Sequence, residues 1–183
     1  MRRVSVVGTS GAGKSRLAQA LAQRLAVSYV ELDALMHQPG WAPRPDGEFM
    51  AEVEQAASQS GWVVDGNYMR FVIEGPVWKR ADTVVWLDLP RRTVMRRLIL
   101  RTLRRAVTRE KLWHGNREPL SNLLSFDPEK SIVAYAWVKH DEFARRYQDA
   151  LTDPTWREIT FIRLRSPAEV RTWLESIRPA PGS

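Results

Sequence analysis

The stretch GTSGAGKS at residues 8–15 constrains this chain more than any other part of its sequence. It matches G-x-x-x-x-G-K-[ST] at every fixed position, the pattern of a loop whose backbone N–H groups surround phosphates. The apolar run Val4–Val7 precedes it and predicts a buried strand. Leu17, Leu21 and Leu25 follow at helical spacing, so we expect a helix whose N-terminus faces the same anion. Strand, loop and helix occur in the required order, which favours this phosphate loop over an ordinary glycine-rich turn.

The residues of the phosphate loop have predicted roles in holding a nucleoside triphosphate. Its glycines let the backbone turn where a Cβ would obstruct it. Lys14 brings a charge to the β- and γ-phosphates and is a predicted catalytic residue, and the Ser15 hydroxyl is a predicted ligand of Mg²⁺. ATP and Mg²⁺ are therefore the expected cofactors. The predicted nucleotide-binding residues of the loop are Gly8, Thr9, Ser10, Gly11, Ala12, Gly13, Lys14 and Ser15.

Composition excludes several classes of protein. The 183 residues, 44% of them hydrophobic, suffice for one well-cored α/β domain, and we expect residues 1–183 to form a single domain. The chain has no cysteine, which excludes disulfides and Cys-based metal or redox sites. No apolar run approaches the ~18 residues of a membrane span, and the start MRRVSVV does not resemble a signal peptide. We therefore expect a cytoplasmic protein without membrane contact.

The positive charge of the chain is concentrated in one segment. The formal net charge is +7, yet Arg91–Arg117 contains ten Arg or Lys residues and one acidic residue, so the rest of the chain is slightly acidic. This distribution argues against a general nucleic-acid-binding protein. Repulsion among these cations disfavours the bare segment, and an anion such as ATP would relieve it.

The basic segment predicts a helix, beginning near Arg91, with two distinct faces. Arginines that share one face can clamp a transferring phosphoryl group, although a solvated basic face is the alternative. From this face we predict Arg101 and Arg105 as catalytic residues. The expected apolar face consists of Val94, Leu98, Ile99 and Leu103, and the expected arginine face of Arg97, Arg101, Arg104 and Arg105.

Strand and helix patterns alternate along the whole chain, which predicts an α/β fold with a parallel sheet and helices on both faces. Ligands then bind at the carboxyl ends of the strands. After the first strand, strands are expected within residues 28–33, 62–68, 82–90 and 157–164. Further helices are expected over residues 48–58, 129–151 and 166–177, the last with Ser166 as N-cap, and a loop over residues 111–127.

Three of the predicted strands end in a carboxylate. Asp65 is the predicted Mg²⁺ ligand because the flexible GNY follows it, whereas Asp88 precedes Leu-Pro and is better suited to capping a turn. Asp33 lies on the expected acceptor side, where it could orient or deprotonate an acceptor hydroxyl or simply cap the next turn. His37 and Trp41 are candidates for lining an acceptor pocket.

With these residues in place, the chain resembles the small P-loop kinases of the adenylate kinase type. Within them it is most similar to the adenylate-kinase-related proteins often labelled DNA topology modulation proteins. The resemblance covers most of the chain and implies a P-loop NTPase fold, a sheet of five parallel strands with a mobile Arg-rich lid over residues 97–127. It rests on GTSGAGKS, WVVDGNY, TVVWLDLP, RRLILR and WHGNRE.

The resemblance also implies roles for individual arginines. In RLILR, Arg97 would stack on adenine and Arg101 would contact phosphates. Arg145 and the residue after it resemble the arginines of the helix that follows the lid, and Arg165 belongs to a loop like the one that brackets adenine. These roles make Arg97, Arg101, Arg145 and Arg165 predicted nucleotide-binding residues.

Two departures from that family affect the expected acceptor. Adenylate kinases have D-G-F-P-R where this chain has DGNYMR, which lacks the Pro and places Arg70 one residue later, and no AMP-site segment is recognisable around HQPGWAPRP. Both features argue against AMP. We expect an ATP- and Mg²⁺-dependent phosphotransferase with a small nucleotide- or nucleoside-like acceptor. The alternative is an ATP-binding regulator of DNA topology whose Arg-rich segment contacts DNA.

Overall fold

A parallel sheet of five strands forms the centre of the molecule, as the alternating strand and helix patterns predict. The computed structural model describes residues 1–117, 125, 127 and 131–180. Within them, 3₁₀ turns occur at Pro39–Trp41, Trp113–Gly115 and Pro154–Trp156. In chain order the strands and helices are β1 (Arg3–Val7), α1 (Lys14–Leu25), β2 (Ser28–Glu31), α2 (Leu32–Met36), α3 (Asp46–Ala57), β3 (Trp62–Asp65), α4 (Met69–Val72), α5 (Pro76–Arg80), β4 (Thr83–Leu87), α6 (Arg91–Thr108), α7 (Ile132–Thr152), β5 (Thr160–Leu164) and α8 (Pro167–Ser176).

The strands lie in the order β2–β3–β1–β4–β5 and all pairs are parallel. Successive side chains of each strand point to opposite faces of the sheet. Val6, Val63 and Val85 pack with α1 and the edge of α8 in one hydrophobic cluster. Val64 and Trp86 pack with α3, α5 and α7 in another. Helices therefore cover both faces, as predicted.

The central strand β1 leads directly into the phosphate loop. Val6 of β1 lies beside Asp65 of β3, and Asp65 lies beside Glu31 of β2. The carboxyl ends of three neighbouring strands therefore meet next to the loop. In parallel sheets, ligands bind at this edge, where the connections leave the sheet in opposite directions.

Strand β2 is shorter than the sequence predicts. It ends at Glu31, and Asp33 lies in the first turn of helix α2 instead of at a strand end. Leu32 explains the difference, because its side chain is fully buried in the hydrophobic cluster below α2. A helical turn at this point buries Leu32 and directs the chain away from the sheet.

Other boundaries differ by a few residues. Helix α3 begins two residues earlier than predicted, and the short helices α4 and α5 follow β3 where the sequence predicts none. Helix α8 has its predicted N-cap, since the Ser166 hydroxyl accepts a hydrogen bond from the Glu169 backbone N–H at 3.2 Å. The helix predicted over 129–151 is observed from Ile132 as α7. Its predicted start at 129–130 lies outside the described residues.

The buried face of α6 differs from the predicted one. Val94 and Leu98 are buried as expected, but Ile99 and Leu103 are 43% and 45% exposed. The face is decided by what α6 packs against, which is the phosphate loop on one side and α7 on the other. The positions buried in their place are Met95, Thr102 and Ala106.

The predicted lid, residues 97–127, begins in α6 and continues into the turn that follows it. Residues 109–117 pass through the 3₁₀ turn around Trp113. Residues 118–124 and 126 of the predicted lid and loop lie outside the described residues, so the lid stays a prediction. No helix in the described part of the chain is both long and apolar enough to span a membrane.

Candidate active site

Two glycines let the phosphate loop pass between β4 and α6. Gly8 has a φ of 141° and Gly11 a φ of 91°, both unfavourable for other residues. A Cβ on Gly8 would lie 2.7 Å from the Leu87 carbonyl oxygen, and one on Gly11 would lie 2.8 Å from the Val94 carbonyl oxygen. The loop therefore requires glycine at both positions for space as well as for conformation.

Helix α1 begins inside the phosphate loop. Gly13 is its N-cap in the left-handed conformation, and Lys14 and Ser15 form its first turn. No side chain caps this helix end, so its first backbone N–H groups are available to an anion. The motif residues thus have the arrangement of a phosphate-binding site. The remaining loop positions, Thr9, Ser10 and Ala12, form a turn closed by a 3.0 Å hydrogen bond from the Ala12 N–H to the Thr9 carbonyl.

Asp65 is buried beside the phosphate loop. Its side chain is 3% exposed, and the Tyr29 hydroxyl donates to Oδ2 at 3.4 Å. Burial raises the pKa of Asp65, and the charge of Lys14 and the neighbouring Ser15 hydroxyl partly counteract that effect. Its other oxygen, Oδ1, is buried and has no hydrogen-bond partner among the described residues. A buried carboxylate oxygen without a partner, next to a serine hydroxyl, fits a hard cation such as Mg²⁺.

Asp88, the alternative metal candidate, is already engaged. Arg163 donates to its Oδ2 through Nε at 2.9 Å and forms an ion pair with it through a terminal nitrogen at 2.7 Å. The guanidinium also lies 4.3 Å from the centroid of the Trp86 ring. Asp88 therefore joins β4 to β5, which favours Asp65 as the metal-binding candidate.

Asp33 is held by a tyrosine from the chain segment after β3. The Tyr68 hydroxyl donates to Asp33 Oδ1 at 2.7 Å. Burial raises the pKa of Tyr68, and the nearby Asp33 charge raises it further, so the hydroxyl stays protonated and donates. Asp33 is close enough to Asp65 that its negative charge raises the pKa of the Asp65 carboxyl group. Asp65 thus lies beside the phosphate loop, and Asp33 projects from α2 with its orientation set by Tyr68.

A cleft of about 430 Å³ opens between α1 and the turn after α6. Glu31 lines it, where burial raises the pKa of its carboxyl group and the nearby Trp113 side chain partly opposes the shift. Arg105 also reaches this cleft and lies 3.6 Å from Glu110. The residues lining the cleft are Ser15, Gln19, Glu31, Arg105, Lys111, Leu112 and Trp113.

Residues 37–41, here called the acceptor loop, are tied to residues 112–117, here called the Trp113 turn. The Asn116 side chain accepts from the Gly40 N–H at 2.7 Å and the Trp41 N–H at 3.2 Å, and it donates to the Gln38 carbonyl at 2.9 Å. The rings of His37, Trp41 and Trp113 contact one another at centroid distances of 5.3–6.1 Å. The two candidate acceptor residues, His37 and Trp41, are thus brought together.

The arginines of α6 do not all face the same way. A terminal nitrogen of Arg97 donates to the Ala12 carbonyl of the phosphate loop at 3.2 Å. Arg101 is partly buried one turn further along, and Arg105 lines the cleft. Arg104 is 65% exposed and pairs with Glu110. Arg97 therefore contacts the phosphate loop and Arg105 lines the cleft beside Ser15, whereas Arg104, predicted on the same face, is exposed, and the phosphate contact of Arg101 stays a prediction.

The other predicted arginines have their described contacts elsewhere. Arg145 is exposed and donates to the Asp141 carbonyl of its own helix, and Arg146 pairs with Glu142. The Arg165 side chain is exposed after β5. Arg70 pairs with Asp46 of α3 at 2.7 Å. None of the contacts described for these four arginines reaches the phosphate loop, and the predicted nucleotide contacts of Arg145 and Arg165 stay predictions.

Sequence reasoning missed several residues of this site. These residues come from chain segments far apart in sequence, and each acts through a contact that no local pattern reveals. The GNY that follows Asp65 was one available indication, since polar residues after a buried strand lie at the ligand-binding edge of the sheet. The missed residues are Glu31, Asn67, Tyr68, Trp113, Asn116 and Tyr147.

A comparison with solved structures finds similar chains that align over nearly the whole length of this one. A shikimate kinase from Acinetobacter baumannii in complex with shikimate aligns over 97% of this chain and 90% of its own, with a TM-score of 0.53 and 14% identity. A sugar kinase from Janibacter sp. HTCC2649 is 19% identical (TM-score 0.48; 99% of this chain, 96% of that one). A gluconokinase from Sinorhizobium meliloti 1021 is 18% identical (TM-score 0.47; 95% and 94%).

Neither a protein-family model nor a curated protein matches the sequence. The likeness to the shikimate kinase, at 14% identity, shows the fold. Together with the observed sheet, it confirms the predicted fold class, an α/β P-loop NTPase-like fold. The narrower resemblance to DNA topology modulation proteins stays a prediction.

Proposed function

We propose that this chain is a kinase that uses ATP and Mg²⁺ to phosphorylate a hydroxyl group of a small acceptor. The observation that carries the proposal is a pair of neighbouring carboxylates, Asp65 at the end of β3 and Asp33 in the first turn of α2. Asp65 lies beside Lys14 and Ser15, and Asp33 is held by Tyr68 on the other side. A phosphate loop explains triphosphate binding, and a second, oriented carboxylate can accept the proton of an acceptor hydroxyl.

The residues present account for each part of the transfer. Asp33 would accept the proton of the acceptor hydroxyl while that oxygen bonds to the γ-phosphorus. The bond from the γ-phosphorus to its bridging oxygen breaks, and ADP leaves. Lys14, Arg101 and Arg105 would balance the charge on the phosphoryl oxygens. These roles rest on the positions of the residues around the loop.

Ser15 and Asp65 are the residues that would hold the metal. Mg²⁺ bound there would neutralise phosphate charge during the transfer. No cluster of three or more His, Cys, Asp or Glu side chains able to hold a metal occurs among residues 1–117 and 131–180. That fits Mg²⁺, which keeps several waters and phosphate oxygens as ligands and rarely occupies an all-protein cage.

Nucleosides and nucleotides are the first acceptors to test, followed by small polyols and hydroxy acids. The fold shared with a shikimate kinase supports widening the panel in this way. We expect one class to stimulate ATP consumption by the wild-type protein and not by Lys14→Ala. Within that class, Asp33→Asn should lower turnover far more than it changes ATP affinity. Nucleotide binding with no acceptor in the whole panel would contradict the kinase proposal.

Limited proteolysis with trypsin distinguishes the kinase proposal from the DNA-binding alternative. If Arg91–Arg117 serves ATP, then Mg²⁺ and ATP should slow cleavage there, and the protection should persist between about 50 and 200 mM salt. If the segment binds duplex DNA, then DNA should protect it instead, and the protection should fade over that range as counterions are released. Protection by DNA alone would favour the regulatory alternative.

A further inference from the structure

Asn67 forms a two-point contact with the first residue of the phosphate loop. Its Oδ1 accepts a hydrogen bond from the Gly8 N–H at 3.1 Å, and its Nδ2 donates to the Gly8 carbonyl at 2.6 Å. Both backbone groups of one residue are thus satisfied by one side chain. Gly8 lies between the end of β1 and the rest of the loop, so its conformation decides the direction in which the following N–H groups point.

This contact continues the pairing of β1 with β3 beyond the end of the sheet. The last backbone bond of that pair runs from the Gly66 N–H to the Val6 carbonyl at 3.4 Å. After it, Gly8 turns away from the extended conformation. An unpaired buried backbone group costs about as much as a lost hydrogen bond, and the Asn67 amide supplies both partners.

Tyr147 of α7 fixes the orientation of the Asn67 amide. Its hydroxyl donates to Asn67 Oδ1 at 3.0 Å. The Tyr147 side chain is 2% exposed, packed among aromatic rings, and burial raises its pKa, so the hydroxyl stays a donor. A donor at Oδ1 requires that atom to be the acceptor, which leaves Nδ2 to face the Gly8 carbonyl.

We propose that Asn67, oriented by Tyr147, is a positioning residue that holds the phosphate loop ready for nucleotide before nucleotide binds. The helix that follows the lid segment is thereby coupled to the loop through one hydroxyl. A loop that is already in its binding conformation avoids the loss of affinity that partial occupancy of that conformation imposes. This proposal rests on the proposed function only in assuming that the loop binds nucleotide.

The test compares Asn67→Ala and Tyr147→Phe with a matched control. Asp82→Ala removes two hydrogen bonds to the backbone at the opposite end of β1, from the Arg2 and Arg3 N–H groups to Asp82 Oδ2 at 2.8 and 2.9 Å. Affinity for Mg·ADP is measured by titration calorimetry, and thermal unfolding is measured in parallel. Amide exchange of the peptide covering residues 8–15 is measured without nucleotide.

We expect Asn67→Ala to weaken Mg·ADP binding about tenfold and Tyr147→Phe about threefold, since a neutral hydrogen bond contributes roughly a factor of five. Exchange at residues 8–15 should accelerate in both variants. Asp82→Ala should lower the unfolding temperature while keeping wild-type affinity. Affinity losses in the two loop variants that match the loss in Asp82→Ala would show only a general loss of structure and overturn the proposal.

The Lys14→Ala variant distinguishes a failure of this proposal from a failure of the proposed function. If Lys14→Ala loses Mg·ADP and folded Asn67→Ala binds it like wild type, the positioning role is wrong and the nucleotide site stands. If Lys14→Ala also binds like wild type, the nucleotide site itself is wrong. Should Asn67→Ala fail to fold, Tyr147→Phe decides, because it keeps the buried ring and removes one hydroxyl. Wild-type affinity and exchange in Tyr147→Phe would overturn the proposal.

Discussion

The phosphate loop and the acceptor loop border the same part of the molecule, but different interactions hold them. The phosphate loop is contiguous, and its shape depends on glycines at positions where a Cβ would collide with the end of β4 or with α6. The acceptor loop takes its shape from the Trp113 turn, and Asn116 makes three of the hydrogen bonds between the two. The phosphate loop owes its shape mainly to its own glycines, with Asn67 as one contact from elsewhere, whereas the acceptor loop depends on a segment about 75 positions away in sequence.

Under the proposed function, this difference predicts separate roles for the two loops. A site that binds the same phosphates in every turnover gains from a rigid, preformed backbone. A site that admits and releases an acceptor can be held by a few side-chain contacts that open locally. Changes to the phosphate side should therefore affect chemistry, and changes to the acceptor side should affect the order of a loop.

The largest effect is expected for Lys14→Ala on the phosphate side. Lys14 lies in the first turn of α1, and its charge acts on buried Asp65. We expect turnover to fall by about 10²- to 10³-fold, the range for losing one preorganised transition-state contact, while the unfolding temperature stays near that of wild type. ATP consumption with the identified acceptor is the measurement. Wild-type turnover would show that the loop does not bind the reacting phosphates.

If Arg101 contacts the phosphates as predicted, Arg101→Ala should lower turnover by about 10²-fold, since it removes a charge that stabilises the transition state. Arg104→Ala is the matched control, because Arg104 is on the same helix but 65% exposed and paired with Glu110. We expect its turnover to stay near wild type, and the stability of both variants to change by at most ~0.5 kcal/mol. Equal turnover in the two variants would mean that this helix presents only a solvated basic face.

Asp65→Asn should raise the Mg²⁺ concentration needed for half-maximal turnover by about tenfold, with a smaller change in ATP affinity. The substitution keeps the shape of the side chain but removes the negative charge of the carboxylate. The Oδ1 atom of that carboxylate has no hydrogen-bond partner in the described part of the chain. Asp88→Asn should instead loosen the link to Arg163 and lower stability without changing the Mg²⁺ requirement. If the two phenotypes are exchanged, the assignment of the strand ends is reversed.

Asn116→Ala tests the acceptor side. Asn116 is 6% exposed, and its loss leaves the Gly40 N–H and the Gln38 carbonyl without their partner. We expect faster amide exchange in residues 37–41 and 112–117, a stability loss of about 1–3 kcal/mol, and unchanged affinity for Mg·ADP. Exchange that stays slow in both segments would show that the aromatic contacts alone hold them together.

The smallest effect is expected for Glu31→Gln. Burial raises the pKa of Glu31 in the folded protein above its unfolded value, so the charged carboxylate lowers stability at pH 7. The variant should unfold at a temperature higher by about 2–4 °C at neutral pH. This difference should shrink as the pH falls through the raised pKa towards the unfolded value, because wild type is then protonated as well. Thermal unfolding across that pH range is the measurement, and a difference that grows at low pH would contradict it.

Much of the fold follows from local patterns. Buried runs such as Val4–Val7 and Trp62–Asp65 identify their strands, and the alternation of strands with helices predicts the parallel sheet. The pattern of apolar residues predicts the wrong structure where the same residues fit a strand or a helix, or either of two helix faces. Leu32 is apolar in a strand-like run, but it enters the core from a helical turn, and Ile99 has helical spacing on a face that nothing described covers.

The sequence by itself determined the phosphate loop, its glycines and the strand end at Asp65. These features depend on neighbouring residues, whose spacing sets the backbone conformation directly. Only the tertiary structure decided that Asp88 pairs with Arg163, that Tyr68 orients Asp33, and that Arg97 of α6 contacts the phosphate loop. Such contacts join groups 35 to 85 positions apart. Their partners are selected by strand order and helix packing, which no short stretch of the chain encodes.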